Sequence, residues 1–122
     1  MDVLLPKSFQ REAGDNGVTT EDCRRAIQRA ERGLIDADLG KGLIKQRIPR
    51  GNQGAARGFR AVVFYRREKI AVFLHLFAKS EKANLTKAEL ALYSQAAHEL
   101  NKLTEKELTV LSANRGWRRF EL

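Results

Sequence analysis

The chain has 122 residues, of which 43% are hydrophobic and 31% are charged, and its formal net charge is +8 at pH 7. That length predicts one domain over residues 1–122 with a core that needs no disulfide or metal, and the composition excludes a disordered chain. One cysteine and two histidines are too few for an ordinary structural zinc site, so we expect no metal and no cofactor. The first residues lack a basic and apolar leader, and no apolar run is long enough to span a membrane, which favours a cytoplasmic protein.

Two helices are predicted in the first third of the chain. Residues 5–13 predict a short helix, and the run Asp15-Asn16-Gly17 ends it. Thr19 is a good N-cap for a second helix over about 20–32, in which apolar residues recur at helical spacing. Gly33 suits the C-terminal end of that helix. The apolar stripe of the second helix comprises Cys23, Ala26, Ile27 and Ala30.

Three strands are predicted next. The first runs from Leu43 to Pro49, where apolar and basic residues alternate, and a basic connection over 50–58 follows it. Phe59 to Arg67 and Ile70 to Lys79 are rich in aromatic and β-branched residues, and a tight turn over 67–69 separates them. These last two strands therefore predict a hairpin.

Two more helices are predicted after the strands, each with a capping box at its start. Thr86 is followed three residues later by Glu89, and Thr104 by Glu107. A short edge strand is predicted over 117–120. The first of these helices is predicted to bury one face, formed by Leu90, Tyr93, Ala97 and Leu100. Helices, then an antiparallel sheet, then helices indicate an α+β protein.

The positive charge is concentrated in the predicted strands. Residues 41–82 contain eleven Lys or Arg and two Asp or Glu, a net charge of +9, whereas the rest of the chain has a net charge of −1. Such a concentration is the electrostatic footprint of a site for a polyanion such as RNA or DNA. The alternative is that Lys and Arg merely solvate edge strands, which suits one or two cations better than eleven.

Short segments spread over the middle of the chain resemble one protein family. These segments are GLIDADLG at 33–40, LIKQR at 43–47, GFR at 58–60, FAKSE at 77–81 and the residue Asn84. They resemble the RelE/HigB-like toxins of bacterial type II toxin–antitoxin systems, over about residues 18–103. The resemblance implies a RelE-like α+β fold, with N-terminal helices packed on a small antiparallel sheet and C-terminal helices after it. It also implies metal-free cleavage of mRNA, often on the ribosome, inhibition of translation, and neutralisation by a cognate antitoxin, often a helix-turn-helix protein.

The resemblance assigns roles to individual basic residues. Arg60 matches the family's sheet arginine that follows an aromatic residue. Lys79 matches the lysine of the Phe-Ala-Lys motif, and Arg47 matches the basic residue that ends the preceding strand. The candidate RNA- or ribosome-binding residues of the basic segment are Lys45, Arg47, Arg50, Arg57 and Lys82.

Some positions depart from the family's pattern. The family's turn Gly-Lys-Ser-Gly-Gly appears here as GAARG at 54–58, so its lysine is missing and Arg57 is the nearest cation. Leu76 and His75 stand where glycine and tyrosine are common. Period-two geometry predicts that His75 lies on the same strand face as Phe73, Phe77 and Lys79, with both phenylalanines in the core.

Metal-free RNA cleavage needs only side chains. The 2′-hydroxyl attacks the adjacent phosphate and expels the 5′-oxygen, so an enzyme supplies a base, an acid and cations. Arginine suits the cationic role because its fork binds two phosphate oxygens, which makes Arg60 the first choice with Arg47 assisting. Lys79 is a candidate to hold the scissile phosphate or to transfer a proton. His75 and Glu81 are further candidates for proton transfer, although His75 equally fits a half-buried sheet position and Glu81 a plain salt-bridge partner.

Three functions remain open at this point. The first is an mRNA endoribonuclease toxin. The second is a ParE-like toxin that acts on DNA gyrase without cutting nucleic acid, and the third is a basic nucleic-acid-binding module without activity. The first is favoured because Lys45, Arg47, Arg60 and Lys79 fall on adjacent predicted strands, where we expect them to line a shared concavity.

Overall fold

A computed structural model describes residues 1–48, 58–78 and 84–122. Within these residues the protein is α+β, as predicted. The strands are β1 (Asp2–Leu5), β2 (Ala37–Gly40), β3 (Leu43–Ile48), β4 (Phe59–Arg66), β5 (Ile70–Ala78) and β6 (Arg118–Glu121). The helices are α1 (Lys7–Asp15), α2 (Thr20–Glu31), α3 (Lys87–Asn101) and α4 (Glu105–Asn114). None of the helices in these ranges is long and apolar enough to cross a membrane.

One sheet contains the strands in the order β2-β3-β4-β5-β1-β6. The three predicted strands are β3, β4 and β5, and they are antiparallel neighbours at its centre. The sheet is mixed because β1 pairs parallel to β5 and antiparallel to β6. The predicted C-terminal edge strand is confirmed as β6.

The N-terminal strand β1 corrects the prediction of a helix over residues 5–13. Leu5 is the last residue of β1, and the helix that follows is displaced to Lys7–Asp15. Val3, Leu4 and Leu5 are all buried, since β1 lies inside the sheet with core on both of its faces. A strand buried on both faces has no alternating pattern, which is why the sequence does not distinguish it from the start of a helix.

Helices cover both faces of the sheet. The core on one face contains buried residues of α1 and α2, and the core on the other contains residues of α3 and α4. The apolar stripe of α2 is buried as predicted. The prediction for α3 is wrong at Leu90, which is 38% exposed. The buried residues of α3, Ala97 and Leu100, lie in its C-terminal half, so its first turn stands away from the core.

All three predicted helix starts are confirmed as capping boxes. The side chains of Thr19, Thr86 and Thr104 each accept a hydrogen bond from the backbone N–H three residues later. The acidic side chain at that later position accepts the N–H of the threonine in return. These contacts fix where α2, α3 and α4 begin, and therefore how they meet the sheet.

A β-bulge in β5 changes which residues share a face. Val62 of β4 pairs with His75, whereas the next residue, Val63, pairs with Phe73, so Leu74 is an extra residue. Phe73 packs in the core beneath α1 and α2, whereas Phe77 packs beneath α3 and α4. Both phenylalanines are buried as predicted, but the prediction that they share a face is wrong, because the bulge reverses the alternation.

Candidate functional site

Three predicted cationic residues lie on the sheet face that α3 and α4 cover. Residues directly opposite in a ladder point to the same face. Lys45 pairs with Val62, Arg47 pairs with Arg60, and Arg60 pairs in turn with Phe77. Val62 and Phe77 belong to the core beneath α3 and α4. Lys45, Arg47 and Arg60 therefore form one group, called the basic strip below.

Five other predicted site residues lie outside the residues that the structure describes. They are Arg50, Arg57, Lys79, Glu81 and Lys82. Their roles stay predictions from the sequence.

Lys45 links the basic strip to the start of α3. Its Nζ donates a hydrogen bond to Asn84 Oδ1 at 3.0 Å, and Asn84 lies three residues before the first residue of that helix. Because β3 and α3 meet here, the lysine is held at the margin of the sheet face and not in its core.

Arg60 is buried, and its residue surface is only 5% exposed. Its Nη1 donates a hydrogen bond to the carbonyl oxygen of Phe59 at 3.3 Å. Burial lowers the pKa of Arg60, the positive charge of Arg47 lowers it further, and the carboxylate of Asp36 partly opposes both effects. A cation withdrawn from water interacts more strongly with an approaching phosphate than an exposed one, because little solvent screens it.

Arg47 stands beside Arg60 but is half-exposed, with 49% of its side chain accessible. Its Nε lies 3.5 Å from Asp36 Oδ1, and its backbone N–H donates to Asp36 Oδ2 at 2.6 Å. Arg29 of α2 donates from Nη2 both to Asp36 Oδ2 at 3.1 Å and to the Arg47 carbonyl oxygen at 2.8 Å. One carboxylate therefore holds two arginines.

Asp36 and Gln46 are residues of this site that the sequence analysis did not single out. Gln46 is fully buried on the opposite face of β3. Its Oε1 accepts the backbone N–H of Asp36 at 2.8 Å, and its Nε2 donates to the carbonyl oxygens of Ala26 and Leu34 at 3.0 and 3.2 Å. The available signal was a glutamine at an inward-facing position of a predicted strand, since a buried polar side chain needs partners.

His75 lies at the bulge and faces two carboxylates. Its Nδ1 is 2.9 Å from Glu12 Oε2 of α1, and its Nε2 is 3.5 Å from Glu89 Oε2 of α3. The ring stacks on Phe77 and Tyr93, with centroid distances of 5.8 and 5.2 Å. Burial and the two carboxylates raise the pKa of Tyr93 to about 12.

These contacts bear on the two alternatives for His75. The side chain is 18% exposed, and Nε2 is buried without a hydrogen-bond partner among the described residues. One nitrogen is thus committed to Glu12, and the other is screened from solvent. The arrangement fits a residue that ties α1 and α3 to β5, and an acid–base role for His75 stays a prediction.

Two further features of the described residues concern metal binding and thiol chemistry. Within the described ranges, no group of three or more His, Cys, Asp or Glu residues is placed to hold a metal ion. Cys23 lies on the buried face of α2, and burial is the main cause that raises the pKa of its thiol to about 12.

A family model described as the RelE toxin of the RelE/RelB toxin–antitoxin system matches residues 1–118. No curated protein and no solved structure matches the chain. The family match spans every described helix and strand except β6, of which it includes only the first residue.

Proposed function

The chain belongs to the RelE toxin family of toxin–antitoxin systems, and from this premise we propose that it is a metal-independent mRNA endoribonuclease. It cleaves mRNA in association with the ribosome and thereby inhibits translation. The observation that carries the proposal is the basic strip, in which a buried arginine, Arg60, lies directly opposite a half-exposed one, Arg47.

Arg60 is the proposed stabiliser of the transition state. Attack by the 2′-hydroxyl places extra negative charge on the phosphorus-bound oxygens, and a desolvated guanidinium interacts with that charge more strongly than with the ground state. Arg47 assists with a second guanidinium at the neighbouring position. Proton transfer falls to Lys79, Glu81 or His75, and the contacts of His75 favour the first two.

Binding of the RNA backbone is the proposed role of the peripheral cations. Lys45 lies at the edge of the strip beside Asn84, and Arg50, Arg57 and Lys82 belong to the same basic stretch of sequence. Phosphate contacts of this kind release counterions, so affinity for RNA should fall with salt by a slope of about −0.7 to −0.9 per phosphate neutralised.

A cognate antitoxin is the partner that the family implies. We propose that it is a small helix-turn-helix protein with an acidic surface, since a basic site favours association with a negative one. Such a partner blocks the approach of mRNA and of the ribosome by covering the basic strip.

Induced expression of the chain tests the proposed function. We expect growth arrest, shortened cellular mRNA, and rescue by the gene encoded beside it. In vitro, the purified protein should cleave mRNA on programmed ribosomes, and cleavage of free RNA, where detectable, should persist in EDTA. Arrest without mRNA cleavage but with inhibited DNA gyrase would overturn the nuclease assignment in favour of a ParE-like toxin. Absence of both activities would leave a binding module.

A further inference from the structure

We infer that Asp36 is a positioning residue that holds the Arg47 guanidinium in the orientation required to bind phosphate. This inference rests on the proposed function and deepens it. The carboxylate contacts Arg47 at two points, its backbone N–H and its Nε. Both the position of the strand end and the direction of the side chain are therefore set from the same acidic group.

Asp36 is itself fixed before any RNA arrives. The buried Gln46 accepts its backbone N–H, while the same glutamine amide donates to carbonyl oxygens of α2 and of the loop after it. Only 21% of the Asp36 side chain is exposed. A carboxylate anchored in this way can orient a flexible arginine, whereas an exposed surface carboxylate contributes little.

The contacts with Asp36 leave the terminal nitrogens of the Arg47 guanidinium available to bind phosphate. Its Nε is turned towards Asp36, and neither of its terminal nitrogens has a hydrogen-bond partner among the described residues. Those two nitrogens form the side of the guanidinium that binds two phosphate oxygens. Because the rotamer is already restricted, less conformational entropy is lost when the phosphate binds.

The charges around Asp36 also leave the site positive, as phosphate binding requires. Arg29 shares the Asp36 carboxylate with Arg47, so two positive charges face one negative charge. The carboxylate therefore orients Arg47 without cancelling the positive charge of the site. Asp36 also offsets part of the repulsion between Arg47 and Arg60, because its carboxylate raises the pKa of Arg60 whereas the charge of Arg47 lowers it.

A matched pair of substitutions tests the role of Asp36. Asp36→Asn removes one negative charge and keeps a side-chain acceptor for the Arg47 N–H. Asp38→Asn is the control, because Asp38 lies two residues away in β2, and its side chain accepts the N–H of Gly40 at 2.8 Å. Simple electrostatics predicts that both changes strengthen RNA binding slightly. The positioning role predicts instead that Asp36→Asn lowers the efficiency of single-turnover cleavage about tenfold.

A double-mutant cycle with Arg47→Ala separates positioning from a structural role. If Asp36 acts through Arg47, Asp36→Asn should change cleavage less than about twofold once Arg47 is absent. An equal loss in both backgrounds would show that Asp36 acts on the fold alone and would overturn the inference, as would wild-type cleavage by Asp36→Asn. If Asp36→Asn does not fold, Asp36→Glu, which keeps the charge, enters the same cycle and should show the same dependence on Arg47.

The same four proteins distinguish this inference from the proposed function. If the wild type binds RNA but never cleaves it, the nuclease assignment fails, and the cycle is read on affinity, where a loss that depends on Arg47 still supports positioning. If the wild type cleaves and the cycle is additive, only the inference fails. A wild type that neither cleaves nor binds RNA overturns both.

Discussion

Arg47 and Arg60 are directly opposite each other on β3 and β4, so two guanidinium side chains start from neighbouring positions on one face of the sheet. Like charges at such positions destabilise a strand pair. Burial adds a desolvation cost at Arg60, and both effects lower the pKa of its guanidinium. The basic strip is therefore a place where the fold carries an unfavourable charge arrangement, which is the pattern expected of a functional site.

Replacing Arg60 by an apolar side chain should consequently stabilise the protein. We expect Arg60→Met to raise the free energy of unfolding by roughly 0.5–2 kcal/mol, because methionine fills similar space without a buried charge. Denaturant unfolding at pH 7 measures the effect. Arg25→Met, at an exposed position on α2, is the control and should change stability little. A loss of stability in Arg60→Met larger than in the control would show that Arg60 holds the fold together.

Replacement of Arg60 should lower cleavage activity even though it raises stability. We expect Arg60→Ala to lower saturating single-turnover cleavage on programmed ribosomes by roughly 10²-fold or more, while affinity changes little, because its charge interacts mainly with the transition state. Arg60→Lys should also be poorly tolerated, since an ammonium group does not reproduce the two-pronged contact. Arg25→Ala again provides the control. Cleavage at the wild-type rate by saturated Arg60→Ala would make Arg60 a binding residue only.

Local patterns explain what could be predicted of the fold. The capping boxes at Thr19, Thr86 and Thr104 depend on residues three apart, and the strands β3, β4 and β5 follow from short runs of apolar and β-branched residues. The alternation along β3 also placed Lys45 and Arg47 on one face correctly. Each of these features is determined by neighbours in the sequence.

Long-range relationships explain what could not be predicted. The strand β1 pairs with β5, a partner nearly 70 positions away in its register, and nothing within four residues indicates that pairing. The bulge at Leu74 exists only relative to β4. Arg60 was expected to lie near Lys45 and Arg47, but its burial was not predicted, because burial depends on the elements packed over the sheet. The role of Asp36 depends in the same way on a buried glutamine ten residues later.

Substitution of His75 separates its two possible roles. His75→Phe keeps a ring to stack on Phe77 and Tyr93 but removes the contact with Glu12. Since that change leaves a carboxylate without its partner, we expect a loss of roughly 1–3 kcal/mol in unfolding free energy. Saturating cleavage by the folded protein should remain within a few fold of wild type.

Glu12→Ala is the companion variant for His75. It removes the same contact from the other side and should produce a similar loss of stability with similarly preserved cleavage. A fall in saturating cleavage of about 10²–10⁴-fold in His75→Phe but not in Glu12→Ala would instead assign general acid–base catalysis to the imidazole.

Cys23 should make the folded protein less stable at alkaline pH. Burial raises the pKa of its thiol from 9.0 to about 12, so the folded state disfavours the thiolate that the unfolded chain forms readily. The contribution to stability is fully present below pH 9 and is lost as the pH rises from 9 towards 12. Comparison of wild type with Cys23→Ala isolates this effect from lysines and tyrosines that titrate in the same range. Between pH 7 and pH 10.5 the wild type should lose roughly 1–2 kcal/mol more unfolding free energy than Cys23→Ala.

The native thiol should also resist alkylation at pH 8.5 until denaturant is added. Equal pH dependence in the two proteins, together with rapid alkylation of the native chain, would place Cys23 at an accessible position.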